Sequence, residues 1–307
     1  MPRRATGLNL QSKIINQQSN KEQIMKEFKD KVAVVTGAAS GIGRGIAERC
    51  AQEGMRVVLA DIEEAALAQT EQALKAGGAA VLAVRTDVSK AGDVEALAHK
   101  TLDAFGAVHL LVNNAGIGAG STIWESTLAD WEWVMGVNLW GVIYGLRTFV
   151  PIMLAQDTEG HIVNTASVAG LLPYHPSATY QVTKHAVVAL SEQLYYSLAY
   201  QNAKIKVSVL CPGWVKTRIL ESERNRPVEL QNEPAGTPIT PEVEALIQAM
   251  AEAMQTGLSP QQVADMVFDA IRKDKFYILT HPDTKPLIQQ RMEAILQERN
   301  PDVQAPA

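Results

Sequence analysis

Apolar and polar positions along the chain alternate between short β-branched runs and longer stretches of helical spacing. Val32–Thr36 predicts a strand ending at glycine, and Ile42–Glu53 a helix stopped by Gly54. Arg56–Asp61 predicts a second strand, Glu63–Ala76 an Ala-rich amphipathic helix, Val81–Thr86 a third strand and Asp93–Phe105 a third helix. Val108–Val112 is a fourth strand, running into Asn113-Asn114-Ala115-Gly116. A long helical pattern then covers Ala129–Ala155, where Pro151 is expected to kink the helix or end it early. Gly160–Ser167 and Ile205–Leu210 predict strands on either side of a helix over Ala178–Asn202. Residues Pro212–Pro260 break this rhythm. They are rich in proline and charge, with one helical patch near Glu242–Met254, and they predict a functional loop region of the lid type. A helix over Gln261–Lys273, a seventh strand over Phe276–Thr280 and one more helix complete the chain. Strands that are apolar on both faces belong in a parallel sheet covered on each side. The repeated β-α-β order therefore predicts an α/β fold, a three-layer doubly wound parallel sheet of about seven strands.

Composition adds to this picture at the ends. The 307 residues are 47% hydrophobic and 20% charged, enough for a sizeable core in one domain or two. The formal net charge is -5, but residues 1–31 carry seven basic side chains against three acidic ones, leaving 21 against 30 in the remainder. The reading is a flexible basic extension over 1–28, a single domain over 29–282 with a lid region at 218–260, and a helical tail over 283–307. The first 24 residues are polar and aperiodic, which predicts disorder. An organelle-targeting peptide, or a natural start at Met25, are the alternatives for this leader. An acidic body argues against nucleic-acid partners. The absence of about 18 uninterrupted apolar residues argues against a membrane span. Only Cys50 and Cys211 are available, so neither a disulfide scaffold nor a cysteine-rich metal site is expected, and a reducing, cytoplasmic location fits.

Candidate chemistry begins at Thr36-Gly37-Ala38-Ala39-Ser40-Gly41-Ile42-Gly43, between the first strand and the first helix. Glycines there let the backbone approach a pyrophosphate, and the helix N-terminus supplies N–H groups and partial positive charge. Asp61 ends the second strand, 18 residues beyond Gly43. A carboxylate at that place accepts hydrogen bonds from an adenosine ribose and repels a 2′-phosphate, favouring NAD over NADP. Ile62 follows it where a basic residue would favour NADP, and Ser40 stands where the loop would place an arginine. Arg44 on the first helix keeps NADP in play.

Tyr180 and Lys184 are four apart on a predicted helix and share one face. A nearby ammonium lowers a phenol's pKa, giving a proton carrier for an alcohol/carbonyl pair. Ser167 ends the fifth strand, 13 residues before Tyr180, at the sheet end where ligands bind. Asn138 is an unfavourable residue in mid-helix, which suggests a local task near a kink or an ordered water.

With TGAASGIG at 36–43, Asp61, Asp87-Val88, NNAG at 113–116, Asn138 within VNLWG, Ser167, YQVTK at 180–184 and PGWVKT at 212–217, the chain resembles the short-chain dehydrogenase/reductase superfamily over about residues 29–282. The resemblance implies a Rossmann fold and direct hydride transfer between nicotinamide and a substrate carbon. It makes Tyr180 the general acid/base and has Lys184 lower its pKa and hold the nicotinamide ribose. Ser167 orients the substrate oxygen, and Asn138 organises a proton relay through water. It implies a cofactor set of Gly37, Ala39, Ser40, Gly41, Ile42, Gly43, Asp61 and Ile62 at the adenosine and phosphate end, with Asp87 and Val88 near adenine. Asn114, Ala115 and Gly116 follow along the cofactor, and Pro212, Gly213, Val215 and Thr217 line the nicotinamide end. Substrate walls are expected from Trp124, from Leu171, Leu172, Pro173, Tyr174 and His175, and from Trp214, with Ser167, Leu171, Tyr174 and Trp214 as the pocket proper. These predict a hydrophobic secondary alcohol or ketone as substrate. Arg218, Arg224 and Arg226 with Glu221, Glu223 and Glu229 read as a mixed-charge lid surface, and Cys211 as a buried, inert thiol. No metal site is expected. The apolar helices 129–155 and 178–202 predict a homodimer or homotetramer. The alternatives are an NADP(H)-preferring carbonyl reductase, a non-catalytic dinucleotide sensor, and, further off, an epimerase, dehydratase or enoyl reductase.

Overall fold

Val32–Thr36 forms β1, buried along its whole length as its unbroken apolar run requires. The computed structural model describes residues 24–172, 176–233 and 241–301. After β1 come α1 (Gly41–Gln52), β2 (Arg56–Asp61), α2 (Glu64–Ala76), β3 (Val81–Arg85), α3 (Ala91–Phe105) and β4 (Leu110–Asn113). The middle of the chain gives α4 (Leu128–Met135), α5 (Gly141–Gln156), β5 (Gly160–Thr165), α6 (Ala178–Tyr200) and β6 (Ile205–Cys211). The chain closes with α7 (Pro241–Thr256), α8 (Pro260–Arg272), β7 (Tyr277–Leu279) and α9 (Lys285–Leu296). All seven strands pair in parallel in the order β3-β2-β1-β4-β5-β6-β7. The order reverses between β1 and β4. Beyond their carboxyl ends the connections part to opposite faces and leave a crevice.

Two apolar layers cover the sheet. One joins Phe28, Ile46, Leu59 and Phe268 under α1 and α8, and the other joins Leu97, Phe149, Ile162 and Val187 under α3, α5 and α6. Met25 and Phe28 are already in the first layer, so the core begins ahead of the boundary expected at residue 29. The disorder expected for the leader concerns residues 1–23, which lie outside the described residues.

The long central helix departs from expectation. It runs through Pro151 to Gln156, held by the burial of Phe149 and Met153 on the sheet. Its irregularity lies earlier, in a π turn at Gly136–Trp140 that carries Asn138. By length and composition, Leu128–Gln156 is long and apolar enough to cross a membrane. In the fold it packs on α3 and α6 and gives Val142, Phe149 and Met153 to the core.

Candidate active site

The crevice at the β1/β4 switch is a cavity that gathers residues from distant parts of the chain. Gly37, Ser40, Gly41, Ile42, Asp61, Ile62, Asp87, Val88, Asn114, Ala115, Gly116, Tyr180, Lys184, Pro212 and Thr217 all line it, as expected from sequence. At the β1–α1 turn, Gly37 and Gly41 take positive φ values of 66° and 54°. Gly43 is required for another reason: a Cβ there would stand 2.1 Å from the Gly37 carbonyl oxygen. Ser40 precedes α1 without a side-chain cap, so the first-turn N–H groups are free to meet an anion.

Asp61 is buried at the end of β2. Its Oδ2 accepts from Ala39 N–H at 2.9 Å and its Oδ1 from Glu63 N–H at 2.9 Å. Burial pushes its pKa up, while those two N–H groups act the other way. Each oxygen keeps further acceptor capacity for a diol. Arg44 ion-pairs with Glu48 at 2.8 Å along α1. The glycine cradle, the uncapped helix end and the Asp61 acceptors fit a dinucleotide with a free ribose 2′-hydroxyl.

Four members of the expected cofactor set do not line the cavity. Ala39 is buried and supports Asp61, Gly43 packs under Gly37, Val215 is buried beside Leu258, and Gly213 packs on His281. Thr36, unmarked in the sequence reading, ties the cradle to the next strand: its Oγ1 donates to Val112 O and accepts from the N–H groups of Asn114 and Ala115.

At the other end, Ser167 caps a 3-10 turn over Val168–Gly170, its Oγ accepting from Ala169 N–H at 3.1 Å. Its side chain also hydrogen-bonds the Tyr180 phenol. Lys184 is buried on the next turn of α6 and donates to the Thr165 carbonyl at 3.0 Å. Its Nζ lies 5.4 Å from the Tyr180 ring centroid. Burial lowers the Lys184 pKa to about 8. The expected depression of Tyr180 by Lys184 does not hold among these protein groups. Burial raises the phenol, the Ser167 hydrogen bond opposes it, and the ammonium is directed at a carbonyl. Asn138 uses its amide on the main chain: Nδ2 donates to Ile117 O and Oδ1 accepts from Ile117 N–H, both at 2.9 Å. This clamp, with a weaker bond to Thr183 Oγ1, fixes the loop after β4 against α6.

The substrate walls are only partly those expected. Ser167, Leu171 and Trp214 do not line this cavity, Trp124 is 81% exposed, and Pro173, Tyr174 and His175 lie outside the described residues. Ile117, Trp133, Val137, Ile219 and Pro227 supply the apolar wall instead. The lid segment is also less of a free surface than its composition suggests. Arg224 reaches Glu63, next to the ribose end, with Nε and Nη2 at 3.0 and 2.6 Å from Oε1, and Asn225 joins it at 2.9 Å. Arg226 is buried against Asp130. Of the three arginines, Arg218 is the one that pairs outward, with Glu221. These pairings span more than 95 residues of sequence and carry no periodic signal. Cys211 is buried, and burial pushes its thiol up to about 12, as an inert thiol requires. Among the described residues, no group of three acidic, histidine or cysteine side chains could hold a metal ion.

Known proteins share this arrangement. The family model for short chain dehydrogenases matches residues 31–227. A CLA biosynthesis dehydrogenase/reductase of Lactiplantibacillus plantarum is 40% identical over 91% of this chain and 98% of its own length. A diacetyl reductase of Staphylococcus epidermidis is 32% identical over 81% and 94%, respectively. Among solved structures, a short chain dehydrogenase/reductase from Burkholderia phymatum in complex with NAD superposes with a TM-score of 0.88 at 48% identity, covering 92% of this chain and all of that one. A match to most of the domain, carried by relatives of nearly equal length on the same parallel sheet, has one meaning: the chain belongs to the short-chain dehydrogenase family.

Proposed function

We propose that the protein is an NAD-dependent oxidoreductase acting on the CH–OH group of a hydrophobic secondary alcohol, or on the corresponding ketone. The observation that carries this reading is the Ser167–Tyr180 hydrogen bond beside Lys184, at the far end of a cavity whose near end is built for a ribose diol. Bound nicotinamide supplies the hydride acceptor or donor. The chain's own residues handle the proton. Tyr180 Oη gives it to the substrate oxygen in reduction and takes it in oxidation. The Ser167 hydroxyl holds that oxygen, and Lys184 sets the local potential and meets the nicotinamide ribose. Asn138 keeps the loop after β4 in place and stands where a water-borne proton relay would start. The raised pKa of Tyr180 favours the protonated, donating form, which suits the reductive direction.

The apolar wall of Ile117, Trp133, Val137 and Ile219 supports a hydrophobic substrate. Asp61 and the Arg44–Glu48 pair support NAD, as does the cofactor of the Burkholderia phymatum relative. Aliphatic, aromatic and steroid-like alcohols assayed with NAD and NADP in parallel test both points. Asp61→Ala is expected to weaken NAD use by about 10- to 100-fold, the loss of hydrogen bonds to a charged acceptor, and to ease NADP use. An unchanged cofactor preference in that variant removes Asp61 from the reading.

The proposal includes a homodimer or homotetramer joined through α5 and α6. Trp140, Val182, Tyr196 and Tyr200 are apolar or aromatic side chains left 44–79% exposed on this face. Multi-angle light scattering at micromolar concentration is expected to give a dimer or tetramer mass; a monomer peak alone rules the assembly out.

A further inference from the structure

The peptide unit between Pro212 and Gly213 is held from both sides. Its carbonyl oxygen accepts from Val168 N–H at 2.9 Å and from the Ser167 hydroxyl at 3.4 Å. Its N–H, on the Gly213 side of the same unit, donates to Nδ1 of His281 at 3.1 Å, with a longer approach of 3.4 Å to Thr280 Oγ1. A peptide unit is planar and stiff, so whatever fixes the N–H also fixes where the carbonyl points.

His281 is brought to this place by the sheet. β7 pairs with the end of β6, Cys211 opposite Leu279, and His281 follows two residues later as Gly213 follows Cys211. The ring packs directly on the glycine: a Cβ at Gly213 would stand 2.8 Å from both Cγ and Nδ1 of His281. Thr280 is buried, and its Oγ1 lies 2.7 Å from the same Nδ1. A ring nitrogen that receives a main-chain N–H carries no proton of its own. The network therefore assigns a neutral imidazole with its hydrogen on Nε2, and Thr280 as a second donor. His281 lies outside the residues matched by the family model, and no sequence motif marks it.

We propose that His281 is a positioning residue for the reaction centre. Through the Pro212–Gly213 peptide it sets the direction of the carbonyl that meets Ser167, and thereby the place of the hydroxyl that faces Tyr180. This rests on the assignment of Ser167 to the substrate oxygen.

His281→Asn keeps an acceptor near the Nδ1 position, and His281→Leu fills similar space without one. Turnover with the best alcohol, its KM, the NADH dissociation constant and the melting temperature are measured for each. In His281→Leu, kcat is expected to fall about 10- to 100-fold, the cost of a small misplacement at a reacting centre, with KM and NADH binding changed less than threefold. His281→Asn is expected to recover most of that loss. In a Ser167→Ala background, His281→Leu is expected to add nothing further, since two residues acting in series do not add. Wild-type kcat in His281→Leu, equal loss in the Asn and Leu variants, or full additivity with Ser167→Ala would each overturn the proposal. Should His281→Leu fail to fold, His281→Gln, whose acceptor is displaced by one methylene, takes its place under the same criteria. Wild-type turnover in Ser167→Ala alone sinks the assignment of Ser167 itself, so the two failures are distinguishable.

Discussion

Tyr180→Phe is expected to lower kcat by about 10²- to 10⁴-fold while leaving NADH binding nearly unchanged. The phenylalanine ring fills the same space, and Lys184 keeps both its position over that ring and its bond to Thr165 O. What disappears is one oxygen, the partner of Ser167 and the atom assigned to carry the proton. Ser167 remains beside the substrate, but an aliphatic hydroxyl has too high a pKa to replace a phenol. A structural tyrosine would behave differently, with a modest loss shared between binding and turnover. Steady-state kinetics and NADH fluorescence on the same preparation separate the two. Wild-type kcat in the variant would end the assignment of Tyr180.

The second large effect is expected at Arg226→Met. Arg226 is buried, with Nη2 2.7 Å from Asp130 Oδ1, Nε 2.6 Å from Leu230 O and Nη1 3.1 Å from Glu223. Its guanidinium also lies 4.9 Å from the Trp133 ring centroid. Asp130 has tasks besides this pair, since it closes the capping box at the start of α4 with Thr127 and accepts from Asn232. Removing the guanidinium leaves a buried carboxylate short of its charge partner, at a cost of about 3–5 kcal/mol. That cost falls on the contact between the lid segment and α4. Early cleavage near residues 219–233 under limited proteolysis is therefore expected, together with a lower melting temperature. Pairing the change with Asp130→Asn is expected to recover part of the loss, because the stranded charge is then gone. Equal protease resistance in Arg226→Met and wild type would show that the ion pair does not hold the lid.

Much of this protein is legible along the chain. The β-branched runs are strands because they are buried on both faces, and that pattern survives in sequence as an unbroken apolar stretch. Gly37, Asp61, Tyr180 and Lys184 are legible because each stands at a fixed offset from a strand or helix end. The π turn at Gly136–Trp140 was less so. Asn138 hinted at an irregularity, but Pro151 offered a stronger breaker signal, and packing of Phe149 and Met153 outweighed it. Least legible were contacts in which one partner arrives from far away. Glu63 meets Arg224, Asp130 meets Arg226 and Gly213 meets His281 only after the sheet has ordered itself, and single charges or rings leave no periodic trace.

The outer layer over α1 has a bearing on how the chain is made. Gly45 of α1 sits so close to Pro260 that a Cβ would stand 2.7 Å from its carbonyl oxygen, and the Phe28 and Phe268 rings meet with centroids 4.9 Å apart. The partner of the phosphate loop's own helix is thus among the last pieces to leave the ribosome. A nascent chain that has finished all of the family-matched region still exposes the apolar face that Val263, Val267, Phe268 and Ile271 will cover. Until α8 emerges, that face is open to chaperones and to other unfinished chains. A truncation before residue 260 would make the interim condition permanent, so insoluble expression is the fate to anticipate for any shortened form that keeps only the recognisable motifs.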